Sequence, residues 1–306
     1  MLTEFCTNRF EPWAKATFEE TAHKSWLWYR TGIRSLLSSK ALAKMRLNQI
    51  TGESASEFAG FRLSNKVQIS TVNSSLRVLR SIFHRAVEWG VLDAVTKIKL
   101  LPGERHRERV VTREEEARYL AAVREPLASV ASVLADTGLR PKECFRLRWE
   151  GITWVNGRHG TLLVTHGKTA AARRVLPMTP RVRGILEGRW EAAGKPAEGW
   201  AWPAPTRSGH VESSSLRKHH AAAFETIAEE AAKRNEKPLR PFVLYTLRHT
   251  FLTRLGESGC DTWTLARIAG HSSIAMSSRY VHPSEDAVLA AMSRLDGHKI
   301  GHKQMG

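Results

Sequence analysis

The hydrophobic pattern of the first 100 residues is that of helices. From Pro12 to Leu37, apolar side chains recur every three or four residues, which predicts helical structure. A second apolar element covers residues 41–50. The polar stretch at 52–65 is interrupted and predicts only a single helical turn around Phe58. This part of the chain therefore predicts an all-helical domain.

The strongest amphipathic pattern begins at Ser70 or Thr71, either of which suits a helix N-cap, and stops at Gly90. Its apolar face comprises Val72, Leu76, Leu79, Phe83 and Ala86. Off that face lie Arg77, Arg80 and Arg85. Such a group is typical either of solvated charge or of phosphate contacts by a helical DNA-binding module, and the pattern leaves both interpretations open.

A break in the pattern follows this helix. Residues 100–109, LLPGERHRER, combine a proline, a glycine and five charged side chains, which is typical of an exposed interdomain linker. We therefore predict a helical domain at residues 1–100, a linker at 101–110 and a second domain at 111–306.

The second domain opens with a clear helix signal, a capping box formed by Thr112 and Glu115. Helices are expected at 112–123, at 127–137 and from Pro141 onward. Gly138 suits a helix C-cap, so Arg140 should lie at a tight junction between two helices. The alternative for Arg140 is an ordinary surface arginine.

The period changes between residues 152 and 178, where short β-branched runs predict three antiparallel strands. Asn156-Gly157 is a turn signal between the first two strands, and Lys168 falls in the second turn. The domain is therefore predicted to be mostly α-helical with a small antiparallel sheet. A lysine in a turn is usually only solubilising, so Lys168 alone indicates little.

The remaining pattern is again helical. Helices are expected at 179–193, 213–234, 245–257, 262–269, 273–280 and 284–295. The loop at 194–210 carries Trp200 and Trp202, which should anchor it to the core. Near the start of the 213–234 helix, Lys218 could meet DNA, although simple exposure is the default. Arg248 is expected to lie off the apolar stripe of its helix.

Charge changes the picture from an ordinary globular protein to one with a polyanionic partner. The formal net charge is +17 and the pI is about 10.3. Residues 1–107 hold 17 Lys and Arg against 9 Asp and Glu, net +8, and the remainder holds 30 against 21, net +9. Both domains are therefore expected to face the polyanion, most simply nucleic acid. A basic ribosomal or chromatin protein remains an alternative on composition alone.

Cysteine and histidine usage excludes other classes. The three cysteines are far apart and form no CxxC, which favours a reducing cytoplasm and disfavours a disulfide scaffold or a zinc site. The sequence contains no signal peptide, no membrane-length apolar run and no metal-binding motif. We expect a cytoplasmic, nucleoid-associated protein with no cofactor, no metal and no membrane partner.

Five polar side chains in the last two-thirds of the chain provide the groups that cut a phosphodiester without metal. Arg140 and Arg248 can neutralise the charge of a pentavalent phosphorus through their planar guanidinium groups. Lys168 can protonate a leaving alkoxide. In the run ARIAGHSSIAMSSRY, His271 can donate to a non-bridging oxygen and Tyr280 can attack phosphorus.

These motifs resemble those of the tyrosine recombinase (phage integrase) family over residues 108–290. TGLRPKE is similar to the family's first arginine motif and assigns its arginine and following acid to Arg140 and Glu143. The hairpin lysine motif resembles HGKT followed by two arginines, and the second arginine box resembles TLRHTF, assigned to Lys168 and Arg248. AGHSSIAMSSRY is similar to the terminal box, with His271 and the nucleophile Tyr280.

The chain departs from the family's pattern in one place. The second box usually reads His-x-x-Arg, whereas Tyr245 stands three residues before Arg248. A phenol can donate a hydrogen bond to phosphate but is a poor proton acceptor at neutral pH. We predict that Tyr245 fills the histidine's place and that the enzyme remains active. His249 points about 100° around the helix from Arg248 and is assigned no role.

The resemblance implies a site-specific recombinase that cuts and rejoins DNA through a covalent 3′-phosphotyrosine. It implies a core-type (SAM-like) DNA-binding fold for residues 1–100 and a tetramer on paired DNA sites. The helix at 284–295 would pack on a neighbouring copy, with packing on its own copy as the alternative. Two other functions stay open: a type IB topoisomerase, and a DNA-binding relic that has lost catalysis.

Overall fold

The computed structural model describes residues 1–104, 109–167, 170–281, 289 and 292–293. The chain folds as two units, Met1–His106 and Arg107–Gly306. The boundary between them lies within residues 101–110, and the assignment of a DNA-binding role to each domain stays a prediction.

The first unit is built from helices. They are α1 (Leu2–Phe5), α2 (Glu11–Phe18), α3 (His23–Leu37), α4 (Lys40–Lys44), α5 (Gly52–Ser64) and α6 (Ile69–Glu88), with a π-helical turn at Cys6–Phe10 and a 3₁₀ turn at Leu47–Gln49. The helical pattern predicted at 12–37 is confirmed as two helices, α2 and α3. The chain turns between Phe18 and His23, and Phe18 stacks on Tyr29 across the turn.

The pattern at 70–90 correctly predicts α6. Val72, Leu76, Leu79, Phe83 and Ala86 are all buried in the core of the first unit. The predicted start is displaced, because the N-cap is Gln68 and Ser70 and Thr71 already lie within the helix. Gly90 ends it with a positive φ of 67°.

The prediction for residues 52–65 is wrong, since α5 spans the stretch as one helix. The Thr51 hydroxyl accepts from the Ser54 backbone N–H and starts the helix. Ala55, Phe58 and Ala59 then form a narrow buried face. Ser54 is buried on the same helix, and most of its other side chains are exposed.

The second unit is mostly helical with a small sheet. Its helices are α7 (Arg113–Ala122), α8 (Leu127–Thr137), α9 (Pro141–Phe145), α10 (Pro180–Ala192), α11 (Ser213–Lys233), α12 (Leu244–Glu257), α13 (Thr262–Ala269) and α14 (Ile274–Ser277), with short 3₁₀ turns at Trp149–Gly151, Ala170–Ala172 and Ser278–Tyr280. The predicted capping box is present, with Thr112 accepting from Glu115 N–H and Glu115 accepting from Thr112 N–H.

The three strands are β1 (Ile152–Thr153), β2 (Thr161–Val164) and β3 (Arg174–Pro177). They pair antiparallel in the order β1-β2-β3, with Ile152 opposite Leu162 and Val164 opposite Arg174. The predicted fold class, mostly α with a small antiparallel sheet and an all-α first unit, is confirmed.

Helix α12 is fixed in the second unit through Thr250 and Arg254. The hydroxyl of Thr250 accepts from the Val111 backbone N–H at 2.9 Å. Farther along, Arg254 donates to the buried carboxylate of Glu116 at 2.5 Å, which also accepts from Arg181 at 3.1 Å. Because these contacts reach the first segment of the unit and two other helices, α12 is a rigid support for the side chains it carries.

The structure also bears on the predictions for the 194–210 loop and for the last helix. Trp202 is fully buried, as expected of an anchor for the 194–210 loop. The helix predicted at 284–295 lies mostly outside the described residues. Within it, Leu289 and Met292 are described and are exposed. Within residues 1–104, 109–167 and 170–281, none of the helices has both the length and the apolarity needed to span a bilayer.

Candidate active site

Arg140 caps α9, with the left-handed Gly138 (φ 62°) two residues before it and Pro141 as the first helical residue. Its guanidinium donates to Glu143 Oε1 at 2.6 Å and to the Gly270 carbonyl at 3.1 Å. About a third of the side chain is exposed, so the remaining N–H groups can meet a ligand. At the predicted junction, Arg140 is therefore held by a carboxylate of α9 and by a backbone carbonyl at the end of α13.

Glu143 lies between two arginines. It accepts from Arg140 on one side and from Arg174 Nη2, at 2.9 Å, on the other. Burial alone would raise the pKa of Glu143, but the hydrogen bonds and charges of Arg174 and Arg140 outweigh it and lower that pKa. The acid is thus ionised and orients both guanidinium groups.

Arg174, on β3, is the buried member of this group. Besides Glu143, it donates to the Ile268 carbonyl at 2.7 Å and to the Ala172 carbonyl at 2.8 Å. It therefore joins the sheet, the start of α9 and the end of α13 through one side chain. Gly270 is required beside it, because a β-carbon there would come within 2.7 Å of Arg174 Nη1.

Arg248, on α12, is 1% exposed, a burial that its predicted position off the apolar stripe did not indicate. Its guanidinium donates to the Gly138 carbonyl at 2.6 Å and to the Ala269 carbonyl at 2.7 Å. Burial, and then the neighbouring charge of Arg140, lowers the pKa of Arg248 to about 10. The group therefore stays protonated at neutral pH and presents a fixed positive charge.

His271 follows the left-handed Gly270 at the end of α13. Its Nε2 lies 3.1 Å from Arg248 Nη2, and its Nδ1 lies 2.7 Å from the hydroxyl of the buried Ser277. Burial, followed by the charges of Arg248, Arg140, Arg174 and Arg279, lowers the pKa of His271 to about 4. The ring is therefore neutral, and because Nε2 accepts from Arg248, its proton lies on Nδ1.

Tyr280 lies in the 3₁₀ turn that follows α14. Its ring stacks near His271, with centroids 6.3 Å apart and planes 21° from parallel. Burial and the proximity of Tyr245 raise the pKa of Tyr280, and the charges of Arg248 and Arg279 oppose them only in part. The phenol is thus protonated and close to the arginine–histidine group.

His249 makes the hydrogen bond to Tyr280 that the sequence interpretation did not assign. Its Nδ1 lies 3.3 Å from Tyr280 Oη, and the two rings are 5.3 Å apart. The sequence interpretation judged His249 by its angle of about 100° from Arg248, although the residue it contacts is Tyr280. Tyr245 and His249, four residues apart on α12, share one helix face, and that face is turned to Tyr280.

Tyr245 is 47% exposed and shares with Arg140 the wall of a cavity of about 490 Å³. Its interactions with Arg248 and Tyr280 alter the pKa of each. Tyr245 therefore lies at the edge of the same group, on the side open to solvent.

The backbone of Tyr280 runs against α12 at Gly256. A β-carbon at this position would overlap the Tyr280 carbonyl oxygen, so only glycine permits the present path of the chain. The nucleophile's segment is thus held close to the helix that carries Arg248 and His249.

A cavity of about 520 Å³ opens beside Arg140. Its wall includes His166 and Gly167 of the turn after β2, Arg146 of the segment after α9, and Met276 of α14. Lys168 itself lies outside the described residues, so its role stays a prediction. In the part of the chain that the structure describes, no cluster of three or more His, Cys, Asp and Glu is arranged to hold a metal ion.

The predicted DNA contacts are on α6 of the first unit and α11 of the second. In the first unit, Arg77 pairs with Glu104 at 2.8 Å, Arg80 donates to the Ile98 carbonyl at 2.9 Å, and Arg85 pairs with Glu88. Lys218 is exposed on α11. Their contacts with DNA stay predictions, and the three arginines are already engaged within their own unit.

Three residues of the site, Arg174, Ser277 and His249, were missed by sequence reasoning. A signal existed for two of them: Arg174 belongs to the arginine pair after HGKT, and His249 recurs four residues after Tyr245. Ser277 carried none, because a serine in a polar run is indistinguishable from a solvated one.

The sequence is similar to a known protein family and to individual members of it. Residues 109–286 match the model of the phage integrase family. An integrase/recombinase of Escherichia coli is 28% identical over 265 residues, covering 76% of each chain.

Solved structures share the fold. The Tn1549 transposon integrase in complex with a circular intermediate DNA aligns with a TM-score of 0.72 at 18% identity, covering 94% of this chain and 98% of that one. A lambda integrase dimer bound to a COC′ core site aligns with a TM-score of 0.64 at 18% identity, covering 90% and 75%. At these identities the likeness establishes the architecture.

Proposed function

The chain belongs to the phage integrase family, the tyrosine recombinases that break and rejoin DNA, and we propose that Tyr280 is its nucleophile. The observation that supports this most directly is the convergence of Arg248, His271 and Tyr280. Arg248 lies 3.1 Å from His271, which in turn stacks near the Tyr280 ring. These three residues are far apart in the sequence, and their side chains carry the groups needed to bind and attack a phosphodiester. A shared catalytic role accounts for their being brought together.

The substrate is the double-stranded DNA of a recombination site. The phenolic oxygen of Tyr280 bonds to phosphorus, the bond from phosphorus to the 5′ oxygen breaks, and the released 5′ oxygen takes up a proton. The 3′-phosphotyrosine keeps the energy of the phosphodiester, so a 5′ hydroxyl can later reverse the step without a cofactor. Lys168 is the proposed proton donor to the leaving oxygen, as the family's hairpin lysine.

Two guanidinium groups stabilise the pentavalent transition state. Arg248 and Arg140 are aligned before DNA arrives, because buried carbonyls and Glu143 already hold them. Preorganised charge of this kind is the largest single contribution to many enzymatic rates. Arg248 keeps its proton at neutral pH, so its charge is available wherever the enzyme is folded.

His271 acts as a neutral hydrogen-bond donor to a non-bridging oxygen. In the free protein its Nδ1 proton faces Ser277. A hydroxyl both donates and accepts, so Ser277 can bond Nδ1 equally well after the proton has moved to Nε2. That tautomer directs an N–H toward the phosphate once the phosphate engages Arg248.

Tyr245 takes the place of the family's histidine and donates a hydrogen bond to phosphate. It shares a cavity wall with Arg140 and stays partly exposed, which leaves its hydroxyl accessible to DNA. If Tyr245→Phe cleaves as fast as the unaltered chain, the hydroxyl has no part in the reaction.

Four copies are proposed to act on two paired sites and exchange strands in turn. The DNA-bound lambda integrase dimer supports assembly of such chains on DNA. The segment 284–295 is the proposed contact with a neighbouring copy, and the exposed Leu289 and Met292 are consistent with an apolar surface there.

A suicide duplex nicked near the scissile phosphate tests the nucleophile. We expect a covalent protein–DNA adduct from the unaltered chain and none from Tyr280→Phe, while both bind the duplex. Failure of the unaltered chain to form an adduct would favour the DNA-binding relic, and an adduct from the phenylalanine variant would move the nucleophile elsewhere. Relaxation of supercoiled plasmid lacking a site pair would instead favour a topoisomerase.

A further inference from the structure

We infer that His249 accepts the proton of Tyr280 when the phenol attacks phosphorus, an assignment that rests on Tyr280 being the nucleophile. The geometry is direct, since His249 Nδ1 is 3.3 Å from Tyr280 Oη. A general base must lie within hydrogen-bond reach of the proton it removes, and contacts of this kind tighten when substrate binds.

The first competitor, His271, is already committed. Both of its ring nitrogens have partners, Arg248 at Nε2 and Ser277 at Nδ1. Burial and four nearby guanidinium groups lower the pKa of His271 to about 4, so taking up a proton there is disfavoured. Its ring stacks beside the Tyr280 ring at 6.3 Å instead of meeting the hydroxyl edge-on.

The second competitor, Tyr245, has the wrong chemistry. A neutral phenol donates a proton more readily than it accepts one at neutral pH. It lies one helical turn before His249 on the same face of α12, so one face of this helix places a hydrogen-bond donor and an imidazole beside Tyr280. The two functions that a single histidine could combine are divided between two residues.

Charged and titratable groups adjoin His249 on two elements. Tyr280 meets it from the 3₁₀ turn, where the charge of Arg279 also acts on Tyr280. On α12, Tyr245 and Arg248 lie within one helical turn of His249. The guanidinium of Arg248 is bonded to the Gly138 and Ala269 carbonyls, whereas the imidazole of His249 meets the phenol.

The step balances without a further reactant. As the bond from Tyr280 Oη to phosphorus forms, the phenolic proton moves to His249 Nδ1 and gives an imidazolium. The electron pair of the breaking bond stays on the 5′ oxygen, which is protonated separately. On rejoining, the 5′ hydroxyl attacks phosphorus and gives its proton back to the group that had protonated it, and the imidazolium returns its proton to the departing Tyr280 oxygen.

A suicide duplex with a 5′-bridging sulfur at the scissile phosphate tests this assignment. A thiolate leaves without being protonated, so the rate of adduct formation reports only on the nucleophile. His249→Asn keeps a polar group close to the position of Nδ1 but cannot take up a proton, whereas His249→Ala removes both. His23→Asn, at an exposed histidine of the first unit, is the matched control.

We expect both variants at residue 249 to form adduct about 10²–10³-fold more slowly. The unaltered chain should slow toward acid pH, because a protonated imidazole cannot accept the phenolic proton, and both variants should lack this decline while binding the duplex normally. If His249→Asn keeps the rate and pH profile of the unaltered chain, His249 only positions the phenol and the inference is wrong. An adduct from Tyr280→Phe would instead remove the nucleophile assignment itself, whatever residue 249 does.

Discussion

The arginines of the two units are held in different ways. In the first unit, Arg77 and Arg85 pair with carboxylates that are themselves partly exposed. In the second, Arg174 and Arg248 are buried and bonded to main-chain carbonyls or to the buried Glu143. An exposed pair can exchange its acid for a phosphate at little cost, whereas a buried guanidinium is aligned before any phosphate arrives.

The largest effect that separates the two regions should follow removal of a single carboxylate charge. Glu143→Gln leaves the buried Arg174 without its anion, and breaking such a pair costs about 3–5 kcal/mol. Glu88→Gln, at an exposed pair in α6, should cost about 0.2–1 kcal/mol. Calorimetric unfolding of both variants measures the difference, and equal losses would show that the regions are held alike.

The next effect concerns rate instead of stability. Arg248→Lys keeps a positive charge but cannot bond the Gly138 and Ala269 carbonyls while meeting phosphate with a planar fork. We expect adduct formation on a nicked duplex to slow about 10²–10³-fold. Arg85→Lys in the first unit is the matched control and should leave the rate of bound enzyme unchanged. A comparable loss in both variants would contradict the distinction.

Acidification should act on the second unit through His271. The folded pKa is about 4 and the ordinary value is about 6.5, so the unfolded chain binds the proton first as the pH falls. The contribution of His271 to stability is therefore complete above about pH 6.5 and is lost as the pH falls toward about 4. Denaturant unfolding of His271→Asn should lack this component, and a parallel decline would place the titration elsewhere.

The smallest effect is expected at Arg77. Because the pair with Glu104 is partly exposed, Arg77→Ala should lower the free energy of unfolding by less than about 1 kcal/mol. If Arg77 contacts phosphate in the complex, the slope of log affinity against log salt should fall by about 0.9. An unchanged slope would restrict Arg77 to its role within the unit.

Sequence predicted those features whose causes are local. The face of α6, the Thr112–Glu115 box and the three strands each depend on neighbours within a few residues, and the structure contains them. The break after Phe18 was not predicted, because the contact made across it, a ring stack of Phe18 on Tyr29, joins residues 11 positions apart. The α5 helix was underestimated because a three-residue apolar face gives a weak periodic signal.

The residues of the candidate site likewise fall into those that local motifs identified and those that depend on distant contacts. The motifs identified Arg140, Glu143, Arg248, His271 and Tyr280, which the fold brings together. The environment of Arg248 was missed, because the carbonyls it bonds belong to residues 110 and 21 positions away in the chain. His249 was misjudged since its angle was measured against Arg248, when the relevant neighbour was Tyr280, 31 residues downstream.

The missing side chain at Gly256 has a practical consequence. A single methyl group there would act as a wedge under the tyrosine-bearing turn and leave every charged group of the site untouched. Gly256→Ala should therefore bind an intact duplex with the affinity of the unaltered chain but cleave it far more slowly. The Gly256→Ala variant would hold the complex with uncut DNA while Tyr280 keeps its hydroxyl. Substitution of Tyr280 itself cannot do this.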